Sequence, residues 1–355
     1  MAQTQQLLRL TFRTTNPLTI PVSGTGSAGM EACFVNLVDD GDEVVIGVNG
    51  VFGTRMADVV ERIGGKPIRV EAPWGRIIDP DDVARALAGC QQPKIVAIVH
   101  AETSTGIWQP LDDISRIAHD AGALLLIDAV TSLGGCPLDV DAWRIDACYS
   151  ATQKCLSCPP GLAPITLSPA ATDAMRRRSG KARSWYLDLS LIAQYWGEER
   201  VYHHTAPISM NYALREALRL IHEEGLEARF RRHRLNHEAL VAGLEAMGLA
   251  MAAQQNHRLW MLNSVTIPPG VDDAAVRRRL LADHTIEIGG GLGPLKGATW
   301  RVGLMGESSR RPHVFAFLSA LSQSLTAEGH QVDPGSALAA AEEVYLGAAA
   351  DETAR

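Results

Sequence analysis

The stretch from Tyr149 to Gly161 reads Y-S-A-T-Q-K-C-L-S-C-P-P-G, and the order of its residue types governs how the chain around it is read. An apolar run from Ile145 to Tyr149 leads through small hydroxyl residues to a single lysine, Lys154. The chain then enters Cys155 to Pro160, where two consecutive prolines forbid regular pairing. One amine therefore stands on a loop just past a strand end. Upstream, Leu124-Leu125-Leu126-Ile127-Asp128 is a continuous apolar run, which predicts a buried strand ending on a carboxylate. Asp128 precedes Lys154 by 26 positions (154 − 128), room for one strand-turn-strand excursion. Neighbouring parallel strands would then present both groups at one edge of a sheet.

Working outward, the segment from Asp39 to Asp128 alternates strand and helix. Strands are expected at Glu43 to Val48, Lys66 to Val70, Lys94 to His100 and Leu124 to Asp128, with helices at Thr54 to Ile63, Pro80 to Leu87 and Asp112 to His119. Such alternation specifies an α/β fold whose mainly parallel sheet is covered on both faces, with a site at the carboxyl ends of its strands. The informative loops are then Asn49 to Gly53, His100 to Gly106, Asp128 to Gly135 and Thr152 to Gly161. Taken singly, a surface lysine and a helix-capping aspartate account for Lys154 and Asp128. Together at one sheet edge they match what pyridoxal phosphate chemistry requires: an amine to form a Schiff base, and a carboxylate to keep the pyridine nitrogen protonated.

A second anion-binding feature lies near the start. Leu18-Thr19-Ile20-Pro21-Val22 predicts a short strand, and Ser23-Gly24-Thr25-Gly26-Ser27-Ala28-Gly29 opens a helix through Leu37. Small residues there leave backbone N–H groups free at a helix N-terminus, where the dipole also favours a phosphate. Gly24, Gly26 and Gly29 match G-x-G-x-x-G, but no acidic residue closes the following strand where a dinucleotide site needs it, and no lysine completes a P-loop.

Composition narrows the class. The 355 residues are 46% hydrophobic and 21% charged, an ordinary globular balance with enough length for two domains. A net charge of −7 argues against a nucleic-acid surface, and Arg176-Arg177-Arg178 is too short a basic run to reverse that. No apolar run reaches membrane-spanning length and the start Met1 to Gln6 lacks a signal-peptide pattern, so a cytoplasmic protein is expected. The six cysteines make neither a disulfide framework nor a zinc set, and reduced thiols are expected.

Beyond Lys154 a strand is expected at Leu162 to Leu167 and a helix at Ala170 to Arg178. The stretch from Trp185 to Thr205 is aromatic and includes Tyr202-His203-His204-Thr205. Adjacent histidines on a strand point to opposite faces, so packing or hydrogen bonding is expected of them rather than metal binding. Helices follow at Ser209 to Glu224 and Leu226 to Met247, a strand at Ser264 to Ile267, a helix at Asp272 to Asp283 and an exposed strand at Thr285 to Ile288. A strand at Trp300 to Leu304 and a helix from Arg310 to Leu325 complete a small α+β unit. The expected division is a large cofactor domain over 1–245, a small domain over 246–328 and a tail over 329–355 that is a surface helix or partly disordered.

Seven ordered motifs then carry a resemblance. S-G-T-G-S-A-G-M-E-A, N-G-V-F-G, H-A-E-T-S-T-G, I-D-A-V-T-S-L-G-G, Y-S-A-T-Q-K, Y-H-H-T and W-R-V-G-L-M-G, over about residues 7–328, resemble the alanine–glyoxylate aminotransferase branch of the class V aminotransferases. The resemblance implies a fold type I enzyme dependent on pyridoxal 5′-phosphate, working as a homodimer with shared sites. It implies that Lys154 carries the cofactor, Asp128 pairs with its ring nitrogen, Thr103 lies near the ring hydroxyl and Val130 covers one ring face. Phe52 stands where the family usually has tryptophan on the other face. Thr25, Gly26, Ser27 and Gln153 correspond to phosphate contacts, with Tyr202 and Thr205 reaching across from the partner subunit, and Arg301 matches the arginine that takes the substrate carboxylate.

The implied reaction moves an amino group from alanine or serine to glyoxylate or a similar 2-oxo acid. Serine–glyoxylate, ureidoglycine–glyoxylate and aminoethylphosphonate transamination or a lyase reaction stand beside it. The family also carries an N-terminal arm wrapping the partner, and this chain is expected to begin after it. Either the true start lies upstream of Met1, or the dimer is built with less interface and the protein carries its cofactor with weak turnover.

Overall fold

A computed structural model describes residues 1–178 and 180–353. In chain order the elements are α1 (Ala2–Phe12), β1 (Leu18–Ser23), α2 (Gly26–Leu37), β2 (Glu43–Val48), α3 (Val51–Arg62), β3 (Lys66–Glu71), α4 (Pro80–Ala88) and β4 (Pro93–Val99). A small hairpin of β5 (Ala101–Glu102) and β6 (Ile107–Trp108) follows, then α5 (Asp112–Asp120), β7 (Leu124–Asp128), β8 (Ala147–Tyr149) and β9 (Leu162–Leu167). Next come α6 (Pro169–Arg176), α7 (Leu189–Trp196), α8 (Ile208–Glu224) and α9 (Leu226–Ala246). The chain closes with β10 (Leu262–Thr266), α10 (Asp273–His284), β11 (Gly289–Gly290), β12 (Thr299–Gly303), α11 (Arg311–Ala327) and α12 (Pro334–Thr353).

Seven strands form one sheet in the order β1-β9-β8-β7-β4-β2-β3. The run from β8 to β3 is parallel, while β9 lies antiparallel to both β8 and β1. Because β1 is antiparallel to β9, it points the same way as the parallel run and delivers Ser23 to the same edge as Asp128 and Tyr149.

The sheet is buried on both faces, which is why its strands are continuously apolar. Along β2, Val44 and Ile46 enter one core with Phe34, Tyr149 and Trp196, whereas Val45 enters the opposite core with Phe12, Ile98 and Leu125. Strand β7 does the same, sending Leu126 one way and Leu125 and Ile127 the other. Alternation of side chains thus survives inside an unbroken apolar run. Helix starts follow their chemistry too: Asp79 caps α4 ahead of Pro80, and Ser168 caps α6 ahead of Pro169. Each such cap stabilises its helix by about 1 kcal/mol.

A separate antiparallel sheet, β10-β12-β11, packs with α9, α10, α11 and α12 around Trp300. The expected tail is part of this layer. Helix α12 buries Ala337, Ala341 and Tyr345, and the Tyr345 hydroxyl donates to Asn236 Oδ1 at 2.7 Å.

Other expectations shift. Residues 285–288 form no strand, because Thr285 ends α10 in the left-handed conformation at φ 57° and pairing with β12 begins only at Gly289. Helix α7 lies inside the aromatic stretch, where no helix is expected. Helix α3 begins at Val51, so Phe52 occupies a first turn rather than a loop. Among the described residues no helix is long and apolar enough to cross a membrane.

Candidate active site

Strands β7 and β8 are parallel neighbours with Asp128 directly opposite Tyr149. Asp128 is 3% exposed. Its Oδ1 accepts the Val130 N–H and its Oδ2 accepts the Tyr149 hydroxyl, both at 2.8 Å. Burial pushes this carboxyl up to about 7 despite those two donors. Among the described residues it takes part in no ion pair.

Five residues beyond Tyr149 stands Lys154, half-buried. The turn that carries it is closed by Ser157 N–H to Lys154 O and by Cys158 N–H to Thr152 O, each 3.0 Å, and Ser157 sits at φ 56°. Burial lowers the Lys154 ammonium below its ordinary range, and the positive charge of Arg301 lowers it further.

The start of α2 follows β1 at the glycine-rich turn. Helix α2 begins at Gly26, earlier than the apolar pattern suggests, with Thr25 as its N-cap and no side chain capping it. Gly24 is held at φ 140° by its N–H to Gly161 O at 2.9 Å, a conformation that favours glycine. A Cβ on Gly26 would come to 3.0 Å from both Ala151 and Val130. This glycine-rich cradle therefore touches the loops that follow β7 and β8, while Thr25 and Ser27 remain exposed. Gln153 is exposed as well.

Opposite, the hairpin loop carries Glu102 and Thr103, both buried. Glu102 Oε1 accepts Ser104 N–H at 3.0 Å and Ser104 Oγ at 2.6 Å, and Oε2 accepts Phe52 N–H at 3.0 Å. This carboxylate fastens the first turn of α3, and with it the half-buried Phe52 ring, to the loop of Thr103. A Cβ on Gly50 would lie 2.3 Å from Glu102 Cδ, so glycine permits the approach. The Arg55 guanidinium lies 5.0 Å from the Phe52 ring centroid.

Arg301 on β12 faces away from buried Trp300 and Val302, as strand alternation requires. Its Nε donates to Gly290 O at 2.8 Å and its Nη1 reaches Thr103 O at 3.5 Å. Glu307, six residues on, pairs with Arg310 and not with Arg301. Arg301 forms no ion pair among the described residues.

Tyr202 and Thr205 are exposed, and their hydroxyls meet at 3.2 Å. The two histidines between them are not on a strand. Their Nδ1 atoms lie 2.7 Å apart, His204 Nε2 meets Ser23 Oγ at 2.7 Å, and His203 Nε2 meets Trp185 O at 3.1 Å. This places the 202–205 loop against the strand that precedes the cradle.

Asp128, Val130, Lys154, Thr25 and Gly26 thus gather at one edge of the large sheet. Phe52, Thr103 and Arg301 form a second group joined through Glu102 and Thr103. Arg301 bears on the Lys154 charge and Arg55 on that of Asp128, which brings the two groups around one space. Sequence reasoning did not single out Tyr149 as a partner of Asp128, because its role depends on the register of β7 against β8.

The residues fit pyridoxal 5′-phosphate. Asp128 is a buried carboxylate lacking a cationic partner, which a protonated ring nitrogen supplies. The uncapped α2 N-terminus suits a phosphate. Lys154 offers an amine held toward its neutral form.

Comparison with known proteins agrees. The family described as Aminotransferase class-V matches residues 1–296. The (S)-ureidoglycine–glyoxylate transaminase of Bacillus subtilis is 40% identical, over 97% of this chain and 87% of that protein. The crystal structure of a ureidoglycine–glyoxylate aminotransferase from Bacillus subtilis, 42% identical, superposes with a TM-score of 0.94 over 97% of this chain and 89% of that one. The alanine–glyoxylate aminotransferase of Nostoc sp. gives a TM-score of 0.90 at 50% identity, covering 92% of this chain and 86% of that structure.

Proposed function

This chain belongs to the class V aminotransferases, enzymes of fold type I that use pyridoxal 5′-phosphate, and from that premise we propose that it moves the amino group of a small amino acid to glyoxylate. The observation that carries the substrate class is Arg301. A half-buried guanidinium that forms no ion pair among the described residues, and whose charge bears on Lys154, presents the paired donors that match an α-carboxylate.

Bound at Asp128 and the α2 cradle, the cofactor supplies an electron sink for the bond broken at the donor α-carbon. The chain's residues do the rest. Arg301 holds the carboxylate of donor and then acceptor in the same fork. Lys154, lowered by burial and by Arg301, offers an amine shifted toward its neutral form that takes the α-proton of the donor and, in the second half-reaction, gives a proton to the α-carbon of the acceptor. Asp128 keeps a negative charge opposite the ring nitrogen, and Phe52 and Val130 provide the apolar walls.

Alanine, serine and (S)-ureidoglycine are the donors to test first, the last because the Bacillus subtilis relative matches 97% of this chain. Steady-state assays of these donors, with aminoethylphosphonate as a donor lacking an α-carboxylate, against glyoxylate and pyruvate decide the matter. Turnover with glyoxylate and at least one α-carboxylate donor is expected. Turnover with aminoethylphosphonate alone, or none with glyoxylate, overturns the reading.

The same proposal includes a homodimer. Trp185, Tyr186, Tyr202, Ile208 and Tyr212 are exposed large apolar side chains in the segment that carries Tyr202 and Thr205. Cover by a second copy accounts for that surface and would bring Tyr202 and Thr205 to the partner's cradle. Light scattering that gives the mass of one chain at micromolar concentration overturns this part.

A further inference from the structure

Asp128 ends β7 and Lys154 sits on the loop after β8; the register pairing of the two strands ends at Asp128 and Tyr149, with one further bond from the Ala129 N–H to Tyr149 O at 2.8 Å. Beyond that point the sheet no longer fixes how far the two loops stand apart. There the Ser150 Oγ donates to Ala129 O at 2.9 Å, and farther along a buried guanidinium joins the two loops. Arg229, in the first turns of α9 and 5% exposed, donates from Nε to Gly134 O at 2.9 Å and from Nη2 to Cys155 O at 2.6 Å. Gly134 belongs to the loop that follows Asp128, and Cys155 is the residue after Lys154.

The guanidinium is itself held. Its Nη1 donates to Glu224 Oε2 at 2.6 Å, and Glu224 Oε1 accepts Arg232 Nε at 2.6 Å. Arg232 continues to Gly306 O at 2.9 Å and Ser309 O at 2.6 Å, in the loop just past β12. Beside it, the His233 Nε2 accepts the Gly306 N–H at 2.9 Å, and Ser157 Oγ accepts the Glu307 N–H at 2.8 Å. The Lys154 loop, the Asp128 loop and the loop after the Arg301 strand are thus bolted to one corner between α8 and α9.

We propose that Arg229 is a positioning residue for the reaction, setting the Lys154 loop against the Asp128 loop and against the loop that follows Arg301. The proposal rests on the reading that Lys154 and Asp128 hold the cofactor. A planar fork with donors on two edges reaches two carbonyls at once, which a lysine ammonium cannot do from the same place. Misplacement of a reacting group by about 1 Å costs on the order of a hundredfold in rate.

The test compares wild type, Arg229→Lys, the charge-relieved pair Arg229→Met with Glu224→Gln, Glu224→Gln alone, and Leu318→Ala as a buried control far from these loops. Each is assayed for kcat, KM, melting temperature and, in the cofactor-free chain, amide exchange at Gly135, Cys136 and Ser157. Arg229→Lys and the double variant should lose about ten- to a hundredfold in kcat with KM within about threefold. Exchange at those three amides should quicken while the rest of β7 and β8 stays protected. Leu318→Ala should lower the melting temperature without moving kcat. Should both Arg229 variants fail to fold, Glu224→Gln alone, isosteric and retaining the guanidinium, should still show the faster exchange and a kcat lowered about threefold. The proposal is overturned if kcat stays within twofold of wild type in the Arg229 variants that fold, or falls only as much as in a control of equal melting temperature. It is overturned equally if Glu224→Gln leaves both readouts unchanged. Absence of cofactor binding and transamination in wild type would instead sink the reading of Lys154 and Asp128.

Discussion

Two buried carboxylates stand close together at the edge of the sheet, and they are satisfied to different degrees. Glu102, wholly inaccessible, accepts three hydrogen bonds, two from Ser104 and one from the Phe52 N–H at the start of α3. Asp128, almost as buried, accepts two. Burial raises both, Asp128 up to about 7. A carboxylate with a helix N-terminus and a hydroxyl on it is finished as structure. Asp128, with one backbone N–H and one hydroxyl and no ion pair among the described residues, keeps room for a further donor. The difference teaches which buried charge belongs to the scaffold and which to the chemistry.

The comparison can be broken most decisively at the amine. Lys154→Ala should abolish transamination, below detection in a steady-state assay, while circular dichroism shows an intact fold. Turnover near wild type would detach Asp128 from any cofactor role. Next, Asp128→Asn should lower kcat by roughly 10²–10³-fold, as expected for removing a charge that acts in the transition state, with Asp128→Glu retaining part of the rate. Equal, undiminished kcat in both would make Asp128 as structural as Glu102.

Arg301→Ala should cost about 2–3 kcal/mol in kcat/KM toward α-carboxylate donors, roughly fiftyfold, and Arg301→Lys a substantial part of that. An equal loss toward aminoethylphosphonate would reduce Arg301 to a brace for Gly290 and Thr103.

Stability sharpens the contrast from another side. Asp128 has a folded value near 7, above its unfolded value of about 3.9, so the folded chain prefers the protonated form. Its contribution is fully present below the unfolded value and is lost as pH rises through 7. Asp128→Asn should therefore stabilise the cofactor-free chain at pH 8, by a few kcal/mol at most, and do nothing near pH 4. Denaturant melts at the two pH values check this, and an equal effect at both would contradict it. The smallest effect on rate belongs to Glu102→Gln. An amide must turn a donor toward one of its three present donors, costing about 1–3 kcal/mol of stability, while kcat changes within about fivefold. A larger kcat loss than in Asp128→Asn would reverse the ranking of the two carboxylates.

Much of this layout is legible from residue types alone. The alternation from Asp39 to Asp128 appears as β2 through β7 with its helices, because two-sided burial writes continuous apolar runs. Lys154 and Asp128 stand out because an amine and a carboxylate after such runs are rare. Tyr149 and Arg229 do not, since an aromatic strand residue and a helical arginine look ordinary until register and tertiary packing place their polar ends. Residues 285–288 alternate like a strand but follow a left-handed residue that turns the chain away. Helix α7 is obscured by its aromatic composition, in which Leu189, Ile192 and Trp196 pack on the core while Ser190 and Gln194 stay exposed.

Strand β9 has a consequence for how the molecule comes into being. It is the antiparallel strand between β1 and β8, so residues 18–23 have no place in the sheet until residues 162–167 exist. During synthesis the first strand to emerge waits for the ninth, across a span that includes every other strand of the sheet, and such distant pairings form slowly. The glycine-rich turn at the end of β1 is therefore among the last parts of the large sheet to be assembled. A nascent chain halted before Leu162 would carry Lys154 and Asp128 with nowhere to hold a phosphate.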